Sequence, residues 1–234
     1  FKFIDFIFNQ LIMNKIQITL PDNSIKIMDS GITPQQVADS IGEGLARAVV
    51  VAKINGNLTD LNKPIVKDCS LELFKGDSPE GHDTLLHSTA HLMAQAVKEL
   101  FPDAKIAIGP TIENGFYYDF DLETPFTDEI LVNIENKMKE LAKSGQNITR
   151  SEISVSDAVK LFENINESYK VEIINEINPD ETISAYSQSN FTDLCRGPHV
   201  SNTSKIKHFK LLSTSGAYWR GDENNKMLQR IYGT

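Results

Sequence analysis

Two α+β units in succession, a small one and then a larger one, are what this 234-residue chain predicts. Three observations carry the prediction. Residues 15–74 run strand pair, helix, strand, strand, and that order within about sixty residues points to a ubiquitin-like β-grasp. Lys75 to Asp83 (KGDSPEGHD) is polar and carries two Gly and one Pro, the composition of a linker. Beyond it, helical and strand-like patterns alternate with no internal repeat and no low-complexity tract, as in a second unit with its own core.

In the small unit, Lys15 to Leu20 alternates at period two, Pro21-Asp22-Asn23 turns the chain, and Ser24 to Ile27 alternates again, a hairpin pattern. Thr33 precedes Pro34, an N-cap followed by a proline at the first helical position, and Val37, Ala38, Ile41 and Leu45 supply the apolar face. Val49–Ile54 reads as a buried strand, Asn55-Gly56-Asn57 as a turn, and Leu71–Phe74 as a last strand. Up to Gly76 there is no histidine, and Cys69 reads as a small buried hydrophobe.

The larger unit opens with a helix over His87–Phe101, ended by Pro102-Asp103. Lys105–Ile108 is a short strand and Asn114–Phe120 a second, after the turn residues Gly109-Pro110 and Asn114-Gly115. Glu129–Ser144 is a long amphipathic helix with Ile130, Ile134, Met138 and Leu141 on one face. Ile148–Val155 alternates as a strand. Ser156 is the expected cap of a helix reaching Asn164, with Asp157 near its positive end, and Val171–Ile174 extends that helical region. Phe209–Ser213 and Ala217–Trp219 read as closing strands. The expected boundaries are a leader at 1–12, the small domain at 13–76, a linker at 77–82 and the larger domain at 83–228. Residues 229–234 are expected to begin a connection.

Composition narrows the function classes. The hydrophobic content of 40% and charged content of 24% are those of a soluble globular protein. Two cysteines give no disulfide framework and fit a reducing cytosol. No apolar run approaches the ~20 residues that span a membrane. The aromatic-rich residues 1–13, interrupted by Lys2 and Asp5, make a poor signal peptide. A net charge of −9 argues against a free-standing, tight nucleic-acid binder, because phosphate neutralisation dominates such affinity. It still admits a domain that handles only the end of a nucleic acid gripped elsewhere. Lys205, Lys207, His208 and Lys210 form the one local basic cluster.

The chemistry concentrates in two places. His87 and His91 stand four apart on a helix, so they share a face with Cβ atoms ~6 Å apart. About a hundred residues on, Cys195 and His199 flank a Gly-Pro turn. Zinc accepts imidazole nitrogen and thiolate sulfur, but four protein ligands would close a catalytic site. A metal-free reading is equally open, with an imidazole activating water or Cys195 acting as nucleophile beside a histidine. Ser88 stands where an H-E-x-x-H zinc protease has glutamate, which argues against that class. Asp193, Lys170 and Tyr118 are candidate polar liners, a lysine ammonium suiting an oxyanion or a phosphate. Gly109 can let a substrate approach a pocket wall.

Taken in order, HSTAHLMAQAVKELFPDAKIAIGP, NGFYYDFD, ESYKVEI, DLCRGPHV and GAYWRGDENNKMLQRIYGT resemble the N-terminal half of the bacterial threonyl-tRNA synthetase family. Met13 to Gly76 resembles that family's small β-grasp (TGS) domain. The HxxxH…CxxxH pattern is shared with alanyl-type editing domains. The resemblance implies an α+β editing domain that hydrolyses serine wrongly esterified to threonine tRNA. It implies catalytic roles for His87, Lys170, His91, Cys195 and His199, with Asp193, Tyr118 and Gly109 on the substrate. His87 would relay protons between the attacking water and the terminal ribose, Lys170 would steady the oxyanion, and Asp193 would hold the serine amino group. No metal is required on this reading, the alternative being zinc on His87, His91, Cys195 and His199. ATP and a further zinc belong to the family's aminoacylation core, beyond these residues. The implied partners are the acceptor end of tRNA(Thr) carrying serine and the rest of the synthetase, with no membrane and only weak tRNA binding by these domains alone.

Overall fold

The computed structural model describes residues 15–234; the leader expected at 1–12 lies outside them. The chain divides into two compact units, one comprising residues up to Thr84 with Pro198–Ser201, the other Leu85–Gly197 with Asn202–Thr234.

In the first unit, β1 (Lys15–Thr19) and β2 (Ile25–Asp29) form the hairpin, followed by α1 (Pro34–Ile41), α2 (Glu43–Ala48), β3 (Val49–Ile54), β4 (Asn57–Thr59) and β5 (Cys69–Lys75). The sheet order is β2-β1-β5-β3-β4, with β1 and β5 parallel at its centre and the other pairs antiparallel. This is the β-grasp arrangement. Ile16, Ile18, Leu71 and Ala52 from the strands close on Val37 and Ala38 of α1 to make an apolar core. Thr33 and Gln36 form a reciprocal capping box at the start of α1, which satisfies two of the orphan amides of a helix start. The single helix expected through Leu45 is two, because Gly42 adopts an extended conformation and donates its N–H back to Ala38 to end the first.

The stretch 77–82, expected as a linker, is helical from Pro79: α3 runs Pro79–Leu100. Ser78 accepts the Gly81 N–H on its hydroxyl, Pro79 needs no amide partner, and Glu80 sits in the positive first turn. Residues that read as loop punctuation are here a helix start.

The second unit continues with β6 (Lys105–Ile106), β7 (Thr111–Ile112), β8 (Gly115–Asp121), α4 (Asp128–Ser144), β9 (Ile148–Ser154), α5 (Val155–Asn164) and α6 (Ser168–Ile174). It ends with β10 (Thr182–Gln188), β11 (Phe191–Leu194), β12 (Leu211–Tyr218) and β13 (Met227–Gly233). One sheet runs β11-β10-β9; the other runs β12-β13-β8-β6, with β7 also on β8. Four expectations are corrected. The cap of α5 is Ser154, which accepts the Asp157 N–H, since the helix starts at Val155 and leaves Ser156 inside it. The two closing strands over 209–219 are one, β12. β10 and β11 were not foreseen. Residues 229–234, expected as a connection, lie mostly in β13, which is hydrogen-bonded on both sides. Arg230 stands opposite Asp119 across the ladder and pairs with it bidentately at 2.7 and 2.9 Å, so a polar residue serves an interior strand.

Candidate active site

α3 is buried on almost every side through its middle, with Ala90, Leu92, Met93, Ala94 and Val97 in the core. His87 and His91 therefore project from a helix that has little room to move. Their rings meet edge to face with centroids 5.2 Å apart. Burial, reinforced by His87 and Lys170, pushes His91 well below the ordinary imidazole value, so this ring is neutral near pH 7.

β11 presents Asp193, and the chain beyond it is stitched to β10: the Cys195 N–H donates to the Ser184 carbonyl and the Ser184 hydroxyl to the Cys195 carbonyl. The Cys195 sulfur lies 3.2 Å from His87 Nε2 and accepts the Gly197 N–H at 3.3 Å. Gly197 has φ 70°, and a β-carbon there would fall 1.9 Å from the Tyr186 hydroxyl. The turn that aims an amide at the sulfur thus requires glycine.

Beneath these groups lies a buried charged network. Lys170, from α6, places Nζ 2.6 Å from Asp193 Oδ1 and donates to the Tyr118 hydroxyl at 3.0 Å. Tyr118, from β8, donates in turn to Asp193 Oδ2 at 2.5 Å, and His91 Nε2 stands 3.5 Å from that same oxygen. Lys170 is 3% exposed, Asp193 1% and Tyr118 1%, so both charges have left water. Burial first, and then the Asp193 carboxylate, push the Tyr118 phenol well above its ordinary value, which keeps it protonated as a donor.

Gly109 sits against the Tyr118 ring, where a β-carbon would approach to 2.0 Å. Its lack of a side chain is what lets the ring lie there, a role that its place in a Gly-Pro turn does not announce. Together these residues line a pocket of about 1040 Å³. Its outer part is walled by Arg150, Arg196, Glu176 and Glu181. None of the four was singled out in the sequence, and isolated surface-type charges offer no local signal that would have found them. Ser184 was likewise missed. His199 belongs to the Pro198–Ser201 segment grouped with the first unit, where its backbone N–H donates to Asp60 at 2.8 Å. Of the basic cluster, Lys210 is spent on Glu135. Both cysteines are free thiols, and no helix among the described residues is long and apolar enough to cross a membrane.

A β-grasp unit followed by an α+β unit with an imidazole–thiol pocket defines a two-module class, and the chain matches a family description in each. Residues 16–75 match the TGS domain, and residues 183–232 match the threonyl and alanyl tRNA synthetase second additional domain. The chain is 56% identical over 222 residues to a protein of Pelobacter propionicus named "Threonine--tRNA ligase", covering 95% of this chain and 35% of that protein. Proteins of the same name from Citrifermentans bemidjiense and Acetivibrio thermocellus are 54% and 52% identical, covering 95% and 94% of this chain and 35% and 34% of their own length. The chain thus carries a TGS domain followed by a threonyl and alanyl tRNA synthetase second additional domain, and it spans about a third of the length of the curated relatives it matches.

Proposed function

We propose that the second unit is an editing hydrolase that removes serine from tRNA(Thr), as part of a threonine–tRNA ligase whose ATP-dependent ligation resides in the remaining length. The observation that carries this reading is the Lys170–Asp193–Tyr118 network at the wall of the pocket that also holds His87, His91 and Cys195. An ester of an amino acid brings an ammonium group, a carbonyl that becomes an oxyanion, and a ribose oxygen that must leave with a proton. Asp193 is the counter-charge for the ammonium and Lys170 the cation for the oxyanion. His87, the more exposed of the two imidazoles, passes a proton from the attacking water to the ribose oxygen. The water oxygen bonds to the carbonyl carbon, the ester C–O bond breaks, and free serine and the tRNA hydroxyl result. His91, held neutral, shapes the site with Cys195, and Tyr118 and Gly109 form its wall. His199, the last member of the HxxxH…CxxxH pattern, is carried as a further site residue by the family resemblance.

The need for such a site is chemical. Serine lacks one methyl of threonine, and a methyl or methylene is worth only ~1–3 kcal/mol of discrimination in a binding pocket. A second pocket that rejects threonine supplies the rest. The partners on this reading are the serine-bearing acceptor end and the remainder of the synthetase.

A second reading is favoured by the compactness of the donor set: the ligand atoms of His87, His91 and Cys195 lie within 4.8 Å of one another. Two imidazoles and a thiol fit zinc, and a histidine kept neutral is ready to ligate. When bound there, zinc would supply Lewis-acid activation of water.

The test is deacylation of seryl-tRNA(Thr) beside threonyl-tRNA(Thr) and seryl-tRNA(Ser), with His87→Ala and a chelator arm. Selective loss of serine from tRNA(Thr), abolished in His87→Ala, is the expected result. Chelator sensitivity restored by zinc would select the second reading. Absence of hydrolysis both by this folded chain and by the full-length protein would leave a tRNA-docking module and sink the editing assignment.

A further inference from the structure

We infer that Glu167, a residue outside the reacting groups, is the positioning residue that sets Lys170 against Asp193, acting through an ion pair with Lys98. The inference rests on the editing reading for its kinetic arm and on geometry alone for its labelling arm.

Glu167 immediately precedes α6, in the N-cap position, yet makes no side-chain cap bond. Its carboxylate is turned inward. Oε2 accepts the Ile106 N–H at 2.8 Å, and Oε1 pairs with Lys98 Nζ at 2.7 Å. Lys98 is itself anchored, donating to the carbonyls of Ala104 and Pro102 at 2.7 and 3.1 Å. The main chain of Glu167 carries the constraint onward, because its carbonyl accepts the N–H of Lys170 at 3.1 Å.

One carboxylate thereby joins three elements, and each delivers a piece of the pocket. α3 brings Lys98 to the carboxylate and, two turns earlier on the same face, His91 to the pocket. β6 offers the Ile106 amide, and three residues later comes Gly109 beneath Tyr118. α6 carries Lys170. A buried carboxylate is a poor way to add stability, since desolvation offsets much of the attraction, and burial does push the Glu167 carboxyl up despite Lys98 and the Ile106 amide. What such a pair does supply is a fixed relation among the elements it bonds. A lysine held by one end of a seven-residue helix needs that relation, because its long side chain otherwise has many rotamers.

The experiment compares wild type, Glu167→Gln, Glu167→Ala and Lys98→Met with a control, Leu141→Ala in the core of α4, at matched thermal stability. Lysine acylation by acetic anhydride, read site by site in a mass spectrometer, reports Lys170, with exposed Lys160 as internal reference. Lys170 is expected to be protected in wild type and in Leu141→Ala and exposed to reagent in Glu167→Ala. Glu167→Gln, which keeps an acceptor for Ile106 but loses the charge, is expected to fall between. In seryl-tRNA(Thr) deacylation, kcat falls by about a hundredfold in Glu167→Ala, the cost of a displacement of about 1 Å at a reacting group, with KM little changed. Equal protection of Lys170 in Glu167→Ala and wild type overturns the inference, as does equal exposure in Leu141→Ala. Exposure of Lys170 confined to the Glu167 and Lys98 variants, in a protein that deacylates nothing, keeps the inference and removes the editing reading.

Discussion

The two units solve burial in opposite ways. Among the described residues of the first, the core is Ile, Val, Leu and Ala, and no Asp, Glu, Lys or Arg is buried. The second buries Asp119, Glu135, Glu167, Lys170 and Asp193. A carboxylate or ammonium taken from water costs several kcal/mol even after relaxation, and its partner rarely returns more than that. The first unit is therefore organised for stability, whereas the second carries charges whose energetic case is weak unless they are used. Buried charge is what separates the two units here.

The largest test of that contrast is Asp193→Ala. It strands the Lys170 ammonium in the interior with only the Tyr118 hydroxyl, and should cost ~3–5 kcal/mol, measured by urea unfolding. The double variant Lys170→Met/Asp193→Leu removes both charges and should recover most of that loss while remaining inactive. Failure to recover would mean the pair contributes net stability, and the contrast would collapse.

In the first unit the corresponding blow is to an apolar side chain. Leu71→Ala, at a fully buried position, should cost ~2–5 kcal/mol through lost transfer energy and a cavity. Its unfolding should be followed together with deacylation, which is expected to survive wherever the second unit remains folded.

A pH dependence marks the exception, Glu135, a buried carboxylate outside the pocket lining that does add stability. Burial pushes the Glu135 carboxyl up, but hydrogen bonds from Lys139, Lys210 and the Leu211 N–H outweigh it and bring it down to about 2 from 4.5. A carboxyl whose folded value is depressed contributes stability above its unfolded value and loses it as the pH falls towards the folded one. The second unit should lose stability between about pH 5 and 2, and Glu135→Gln should flatten that slope. Acid titration by circular dichroism, with and without the substitution, reads both. The smallest effect is expected at Thr33→Ala, which removes one half of the α1 capping box and should cost ~1 kcal/mol by thermal melting, with no change in deacylation.

How much could be read from the chain depended on the range of the interactions. Period-two alternation marks β1 and β2, a continuous apolar run marks β3, and the Thr33-Pro34 start of α1 is plain, because these signals are local. Ser78-Pro79 was equally local, yet it was read as loop punctuation when it is the cap of α3. β13 escaped because Gln229 and Arg230 interrupt its apolar pattern, and Arg230 is accommodated by Asp119, 111 positions away, and by the Tyr117 ring beneath its guanidinium. The four-residue spacing of His87 and His91 predicted a shared helix face, and the rings do meet.

From its sequence alone the protein determined its two-unit α+β order, its β-grasp module and the residue types of its pocket, since propensity, periodicity and caps act within a few residues. Only the tertiary structure decided that Lys170 is bonded to Asp193 and Tyr118, that Gly109 exists to admit a tyrosine ring, and that Glu167 ties three elements together. The bonds among Lys170, Asp193 and Tyr118 join residues from 23 to 75 positions apart, and a buried charge acquires its meaning from the partners that the folded chain brings within hydrogen-bonding distance.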